Sequence, residues 1–317
     1  MRRSATTFII LASVSLLVVT GCQSAGDRFL SWIGIQKDPL VVALVAEQQR
    51  GGGENPLQAL NPFAPYGRWR VALKEELGRP ISLDLGSPWQ LEPALKSGLF
   101  HLAVVSTAHY VNLAEPARFR VLAVPTDQSR QTLRPAVLIT AEKSPIKAVT
   151  DLRGKTVAFG PARDARTHQA GLELLARHGL QKTDLSLEVL PLVGSLKHLP
   201  TMRAVAQTVM NLSSDAGFID EAAWAALPNT TEERDEPCHS RLRILARTVA
   251  VPDQLILASP TLDDGTLEQL RAILLAVGQK HPEALKPLFI SGYTTPDQDL
   301  LETLGKLVAL REAASSK

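Results

Sequence analysis

Short unbroken apolar runs alternate with stretches of helical spacing along most of the chain. Pro39–Val45 (PLVVALV), Ile81–Leu85, His101–Val105, Arg120–Val124, Ala136–Thr140, Thr156–Phe159, Leu187–Pro191, Ala216–Ile219, Leu242–Ala246 and Gln254–Ala258 each read as a strand. Runs without polar alternation are what strands covered on both faces require. Between them lie amphipathic segments. Asn61–Gly78 has Pro65 at a helix start, Trp69, Ala72, Leu73 and Leu77 on one face, and Gly78 as its stop. Trp89–Lys96, Leu199–Val209, Leu267–Gly278 and Asp297–Ala313 read as further helices. Strands alternating with helices predict an α/β architecture.

The most informative stretch is Ser144–Leu180. Ile146–Leu152 is a short amphipathic turn ending in Asp-Leu-Arg-Gly, where Gly154 permits a tight turn. Thr156–Phe159 is then a short buried strand, Gly160-Pro161 breaks it, and Ala165–His178 carries Ala170, Leu172, Leu174 and Leu175 at helical spacing before Gly179. In an open α/β sheet, ligands bind where the chain leaves a strand's carboxyl end and faces the next helix. That loop is Pro161–His168, and Arg163, Arg166, Thr167 and His168 in it are candidate ligand-binding residues.

Near the start, Arg2 and Arg3 precede the apolar Phe8–Val19, a signal-peptide pattern too short for a spanning helix. Val19-Thr20-Gly21-Cys22 follows and resembles the lipobox of bacterial lipoproteins, which implies acylation of Cys22; a standard signal peptide is the alternative. Residues 1–21 are thus expected to be a leader and 22–38 a lipid-anchored tether, in which Phe29, Leu30, Trp32 and Ile33 form one amphipathic turn. The chain of 317 residues has 34 Lys and Arg against 32 Asp and Glu. Cleavage before Cys22 removes Arg2 and Arg3 and no acid, so the mature chain is neutral, which argues against nucleic acid as a partner. With Cys22 acylated, Cys238 has no partner and is expected to be an inert thiol. No Gly-Lys-Ser/Thr follows Gly51-Gly52-Gly53, so that segment is no P-loop.

The Asp-Leu-Arg-Gly-Lys-Thr-Val-Ala-Phe segment at 151–159 resembles the second lobe of type II solute-binding proteins of ABC importers, most closely the phosphonate/phosphite group. Other segments resemble that family in its order over about residues 39–290: Tyr66 ahead of a Leu-rich helix ending in Leu77-Gly78, Lys96-Ser97-Gly98 before the strand at Leu102-Ala103, the small polar loop Ser106-Thr107 with Tyr110, and Asp215-Ala216-Gly217. His101 stands where the family has an acid. The resemblance implies a type II periplasmic-binding-protein fold, two α/β lobes joined by a two-stranded hinge around a ligand cleft. Lobe 1 would be 39–135 and 251–317, lobe 2 136–250, with Ala136–Thr140 and Val251-Pro252-Asp253 as the crossings. It also implies that Tyr66 and Asp215 face the ligand; packing at the domain edge for Tyr66 and a turn cap for Asp215 are the alternatives. Ser106 and Thr107 either bind an oxyanion with the following helix N–H groups or cap that helix.

The family's Ser-Thr-Ser-Gly turn is replaced here by Arg163-Asp164-Ala165-Arg166. Asp164 repels a dianion unless it is paired, whereas Arg166 can clamp an oxyanion with two N–H donors. Carboxylate or sulfonate therefore stands beside phosphonate as ligand. Enzyme readings find little support, because no Gly-x-Ser-x-Gly elbow and no zinc-type His or Cys spacing is present among seven His and two Cys. The expectation is a monomeric lipoprotein without cofactor or metal, binding a small anion and docking on an ABC permease of the inner membrane. A changed site serving another anion, or a protein partner in sensing or scaffolding, is the alternative.

Overall fold

The computed structural model describes residues 38–45, 62–188, 194–227 and 238–315. The leader, Cys22 and the tether up to residue 37 lie outside the described residues, as do residues 48–61 and most of the charged loop at 229–240. The Leu187–Pro191 strand is only partly described, and Glu188 there makes an isolated bridge to Ser195. The strands, in chain order, are β1 (Leu40–Val45), β2 (Ile81–Gly86), β3 (Leu102–Ser106), β4 (Arg120–Asp127), β5 (Ala136–Ala141), β6 (Val157–Phe159), β7 (Lys197–His198), β8 (Ala216–Asp220), β9 (Leu242–Arg247), β10 (Gln254–Ala258) and β11 (Ile290–Thr294). The α-helices are α1 (Gly67–Leu77), α2 (Pro88–Lys96), α3 (Thr107–Val111), α4 (Ala170–Arg177), α5 (Met202–Met210), α6 (Glu221–Ala225), α7 (Cys238–Arg241), α8 (Asp264–Lys280), α9 (Pro282–Leu285) and α10 (Gln298–Ser315).

The chain divides into two units, the first comprising Met1–Ser106, Ala117–Arg130 and Gln254–Pro296. Its sheet has the order β11-β4-β10-β3-β1-β2. β1 runs parallel to β2 and β3, and the later strands β10 and β11 join antiparallel. The apolar run that reads as the first strand is buried along nearly its whole length. α1 buries Trp69, Ala72 and Leu73, the face its spacing predicts, and ends on Gly78 at φ +58°. α8 contributes Leu267, Leu270, Ile273, Leu274 and Val277 to the same core. Gly278 on this helix has no room for a side chain: a Cβ there would lie 2.6 Å from the Ser291 carbonyl oxygen and 2.9 Å from Gly292 Cα. Helix and strand β11 thus meet backbone to backbone.

The second unit comprises Thr107–Pro116, Gln131–Asp253 and Asp297–Lys317, with a sheet of order β7-β6-β8-β5-β9. β6 runs parallel to β7 and β8; β5 pairs antiparallel with β8 and β9. This grouping differs from the sequence reading at four segments, 107–116, 131–135, 251–253 and 297–317. Thr107–Pro116 and Asp297–Lys317 belong with the second unit, because the C-terminal helix α10 packs on α3 and α4. Ala136–Ala141 is an inner strand of this sheet and buried throughout. Asp151 fastens the turn before β6 by accepting the Lys147 and Ala148 N–H groups at 2.8 and 2.9 Å, which holds its carboxyl below the usual range. Gly154 follows at φ +70°.

The segment after β6 is not one continuous α-helix, as its spacing predicts for Ala165–His178. Ala165–Gln169 forms a π-helical turn, closed by the Ala170 N–H donating to the Ala165 carbonyl, and α4 begins only at Ala170. Such turns cluster at functional positions.

Candidate functional site

β6 and β8 are parallel neighbours, so their carboxyl ends, Phe159 and Asp220, lie at the same edge of the second sheet. The Pro161–His168 loop leaves β6 there, and four of its residues behave differently. Arg163 is exposed and adopts φ +65°, the left-handed region that a non-glycine residue seldom occupies. Asp164 is buried, and its Oδ1 accepts the Arg166 N–H at 3.1 Å, the Thr167 N–H at 2.8 Å and the Thr167 hydroxyl at 2.8 Å. Thr167 is therefore consumed in an internal cap, packed so close to Gly160 that a Cβ on this glycine would collide with the threonine hydroxyl. The helix N-terminus that the sequence offers to an external anion is filled by the chain's own carboxylate. Asp164→Ala is expected to cost about 2 kcal/mol, the upper range for a lost N-cap, since two amides and a buried hydroxyl lose their acceptor. Asp164→Asn, which keeps an acceptor oxygen, should cost less; urea denaturation of both variants checks the order.

Arg166 points its guanidinium at two carboxylates. Nη1 lies 3.3 Å from Asp220 Oδ1 at the end of β8, and Nη2 pairs with Asp253. The Arg166 side chain is 10% exposed, that of Asp220 25% and that of Asp253 78%. Asp253 is held by its backbone: Thr107 donates its N–H to the Asp253 carbonyl at 3.0 Å and its hydroxyl to the Pro252 carbonyl at 2.6 Å. Both Thr107 donors are thus used within the second unit, and the residue fastens the return segment.

His168 and His198 form a pair, Nδ1 to Nε2 at 2.5 Å, with rings stacked at 4.7 Å and both against Phe159. Burial first, then the neighbouring His198, pushes the His168 imidazolium down to about 4, so the ring is neutral at pH 7. His198 is also lowered, chiefly by burial. His198 was missed from sequence because a two-residue strand, β7, carries it to the side of Phe159.

The remaining predicted residues are placed as follows. Asp215 takes the turn-capping alternative. It stands at the amino end of β8, where its Oδ2 accepts the Thr156 N–H at 2.9 Å. It caps a turn about 16 Å from Asp220, five residues at about 3.3 Å each, and does not join the loop of Arg163–His168. The carboxylate at the loop's edge is Asp220. Tyr110 is buried on α3, and its phenol is raised by that burial. In the first unit, Tyr66 is half-buried against the core, edge-on to Trp69 at 6.0 Å, and likewise raised by burial. Ser106 ends β3, half-buried. The second unit therefore brings together Arg166, Asp220 and Asp253, and beside them Asp164, Thr167 and the histidine pair. Sequence reading had Arg166 but neither of its partners. The ends of β8 and of the Val251-Pro252-Asp253 segment were the places to look for them.

A family model described as the phosphonate-type periplasmic substrate-binding protein of ABC transporters matches residues 63–301. No curated protein matches the chain. Among solved structures, a Xanthomonas citri protein bound to ATP is similar at 19% identity over 85% of this chain and 95% of its own, with a TM-score of 0.60. PhnD1 from Prochlorococcus marinus in complex with methylphosphonate is similar at 12% identity over 86% and 98%, TM-score 0.54. The periplasmic aliphatic sulphonate binding protein SsuA from Escherichia coli is similar at 17% identity over 87% and 92%, TM-score 0.50. At such identities the likeness is one of fold, the two-lobed fold of periplasmic binding proteins.

Proposed function

The chain belongs to the family of periplasmic substrate-binding proteins of phosphonate ABC transporters, and from that premise we propose that it binds a small oxyanion on Arg166 and hands it to an inner-membrane permease. The family is one of transport proteins, not enzymes. Among the described residues, no helix is long and apolar enough to cross a membrane. Membrane attachment in this reading comes from a lipid on Cys22, supported by the lipobox-like Val19–Cys22 after an apolar leader, and the binding unit is a monomer.

One observation supports the anion reading above the rest. A guanidinium only 10% exposed sits on the loop leaving β6, where this class of fold receives ligands, and one of the two acids that meet its charge, Asp253, is 78% exposed. Fold relatives whose bound or named ligands are methylphosphonate and sulphonate make an oxyanion the natural class. Tyr66 and Ser106 remain in the proposed ligand set as residues implied by family resemblance. Thr107, Thr167 and Asp215 leave it, because their polar groups serve internal caps and clamps.

The test is a thermal-shift panel of phosphate, phosphite, methylphosphonate, sulfonates and carboxylates on the purified protein. An anion of the right class at a hundredfold excess over Kd adds about 2.7 kcal/mol of stability, and Arg166→Ala should lose that shift. A panel without any shift, or an undiminished shift in Arg166→Ala, refutes the assignment.

A further inference from the structure

We infer that the Arg166 site takes a singly charged oxyanion, a sulfonate or carboxylate, by displacing Asp253 while Asp220 stays in place, and that it discriminates against dianions. The inference rests on the anion reading above and names its substrate class.

The donors come first. An anion site at a helix N-terminus offers backbone N–H groups, but here those of Arg166 and Thr167 go to Asp164 Oδ1, as does the Thr167 hydroxyl. The Thr107 N–H and hydroxyl go to Asp253 and Pro252 carbonyls. A donor group that this edge of the second sheet can still turn to an incoming acid is the guanidinium of Arg166, which has five N–H donors in a planar fork.

The two acids on that fork are not equivalent. Asp220 ends an inner strand of the sheet and is 25% exposed. Asp253 is 78% exposed, so its carboxylate reaches water by a side-chain rotation, and it gives up little burial when it leaves. A ligand acid therefore exchanges with Asp253. Its backbone can remain on Thr107 while the side chain leaves.

Charge then selects the ligand. A monoanion in place of Asp253 leaves the count around Arg166 unchanged. A dianion adds a second negative charge beside Asp220, and like charges at close range repel. Arg163 is the other cation of the loop, but it is exposed and its field is screened. An alkylphosphonate holds its second proton to a higher pH than a phosphate ester, whose second pKa is about 6, and it is mostly doubly charged at pH 8 and singly charged at pH 5.5.

Isothermal titration at pH 8 with methanesulfonate, acetate and methylphosphonate, on wild type, Asp253→Asn and Asp220→Asn, reads this directly. Wild type should bind one of the two monoanions at least tenfold more tightly than methylphosphonate. Asp253→Asn, an isosteric change at an exposed side chain, should bind the same monoanion at least tenfold more tightly than wild type, because the internal competitor has gone. Asp220→Asn should narrow the gap between sulfonate or acetate and methylphosphonate, as should lowering the pH to 5.5 for wild type. Methylphosphonate binding at pH 8 equal to or tighter than both monoanions, or an Asp253→Asn affinity no better than wild type, would overturn the inference while leaving the anion reading intact if Arg166→Ala still abolishes binding. Absence of binding by all three probes to all three proteins would overturn both.

Discussion

Phe218→Ala is expected to destabilise the protein by about 3–5 kcal/mol, a large part of the total stability of an ordinary domain. Phe218 is fully buried in β8 and stacks on Phe159 of β6 with ring centroids 5.2 Å apart. Gly171 lies so close that a Cβ there would be 3.2 Å from the Phe218 ring, which shows how tightly α4 is pressed onto the strand. Removing the ring leaves a cavity between a sheet and a helix that already touch, so collapse can recover little of the loss. The stacked pair adds its own about 0.5–1.5 kcal/mol beyond buried area. Phe218→Leu, which fills most of the space, should cost roughly half as much or less. Urea unfolding followed by circular dichroism gives both values. A loss below about 1 kcal/mol for the alanine variant would mean that this core does not hold the second unit together. The consequence for the site is direct, because Asp220 is two residues along the same strand and Phe159 supports both histidine rings.

The second large effect is a dependence on pH. The His168 imidazolium is lowered to about 4 from an ordinary value of 6.5, so between those values the unfolded chain binds a proton that the folded chain refuses. More protons on the unfolded state means that stability rises with pH. Stability is thus complete above about 6.5, is lost as pH falls toward 4, and is not lost further through this group below 4. The whole gap corresponds to about 3 kcal/mol, with His198 acting in the same direction. Around His168, Asp164 works against the shift, and Lys182 and Arg163 work with it. Melting temperatures of wild type and His168→Gln from pH 7.5 to 4 should converge as the pH falls. Parallel curves would show that the pair is not what makes the protein acid-sensitive.

The strands were readable because their signal is local. Leu40–Val45 and Val157–Phe159 are apolar throughout and buried throughout, apart from one half-exposed end. The first helix was readable for a similar reason, since Trp69, Ala72 and Leu73 share a face in any helix that starts near Pro65. β11 went unread because Ile-Ser-Gly-Tyr-Thr shows no apolar run, and its place is set by α8, whose Gly278 admits the strand's backbone. The site was half legible. Arg166 stood out as a cation on a loop at a strand's carboxyl end, but Asp220 and Asp253 lie 54 and 87 residues away in sequence, and no local pattern joins them to it. Asp215 is the residue that family resemblance points to, with a turn cap as its alternative, and Asp220 carries no such local mark. The direction of β8 decides between them, since only the carboxyl end of a strand parallel to β6 can meet the β6 loop.

The π-helical turn over Ala165–Gln169 holds one residue more than an α-helical turn would. Evolutionarily, that makes the loop a single deletion away from a different set of contacts for Arg166. Losing one residue between Ala165 and Gln169 would restore the i→i+4 ladder and rotate the side chains before it by about 100° relative to those of α4. Arg166 would swing off Asp220 without any change to the sheet. Descendants of this gene could therefore change the partners of Arg166 by altering length at one place while their cores stayed the same, and alignments of such descendants should show gaps here before they show substitutions in β6 or β8.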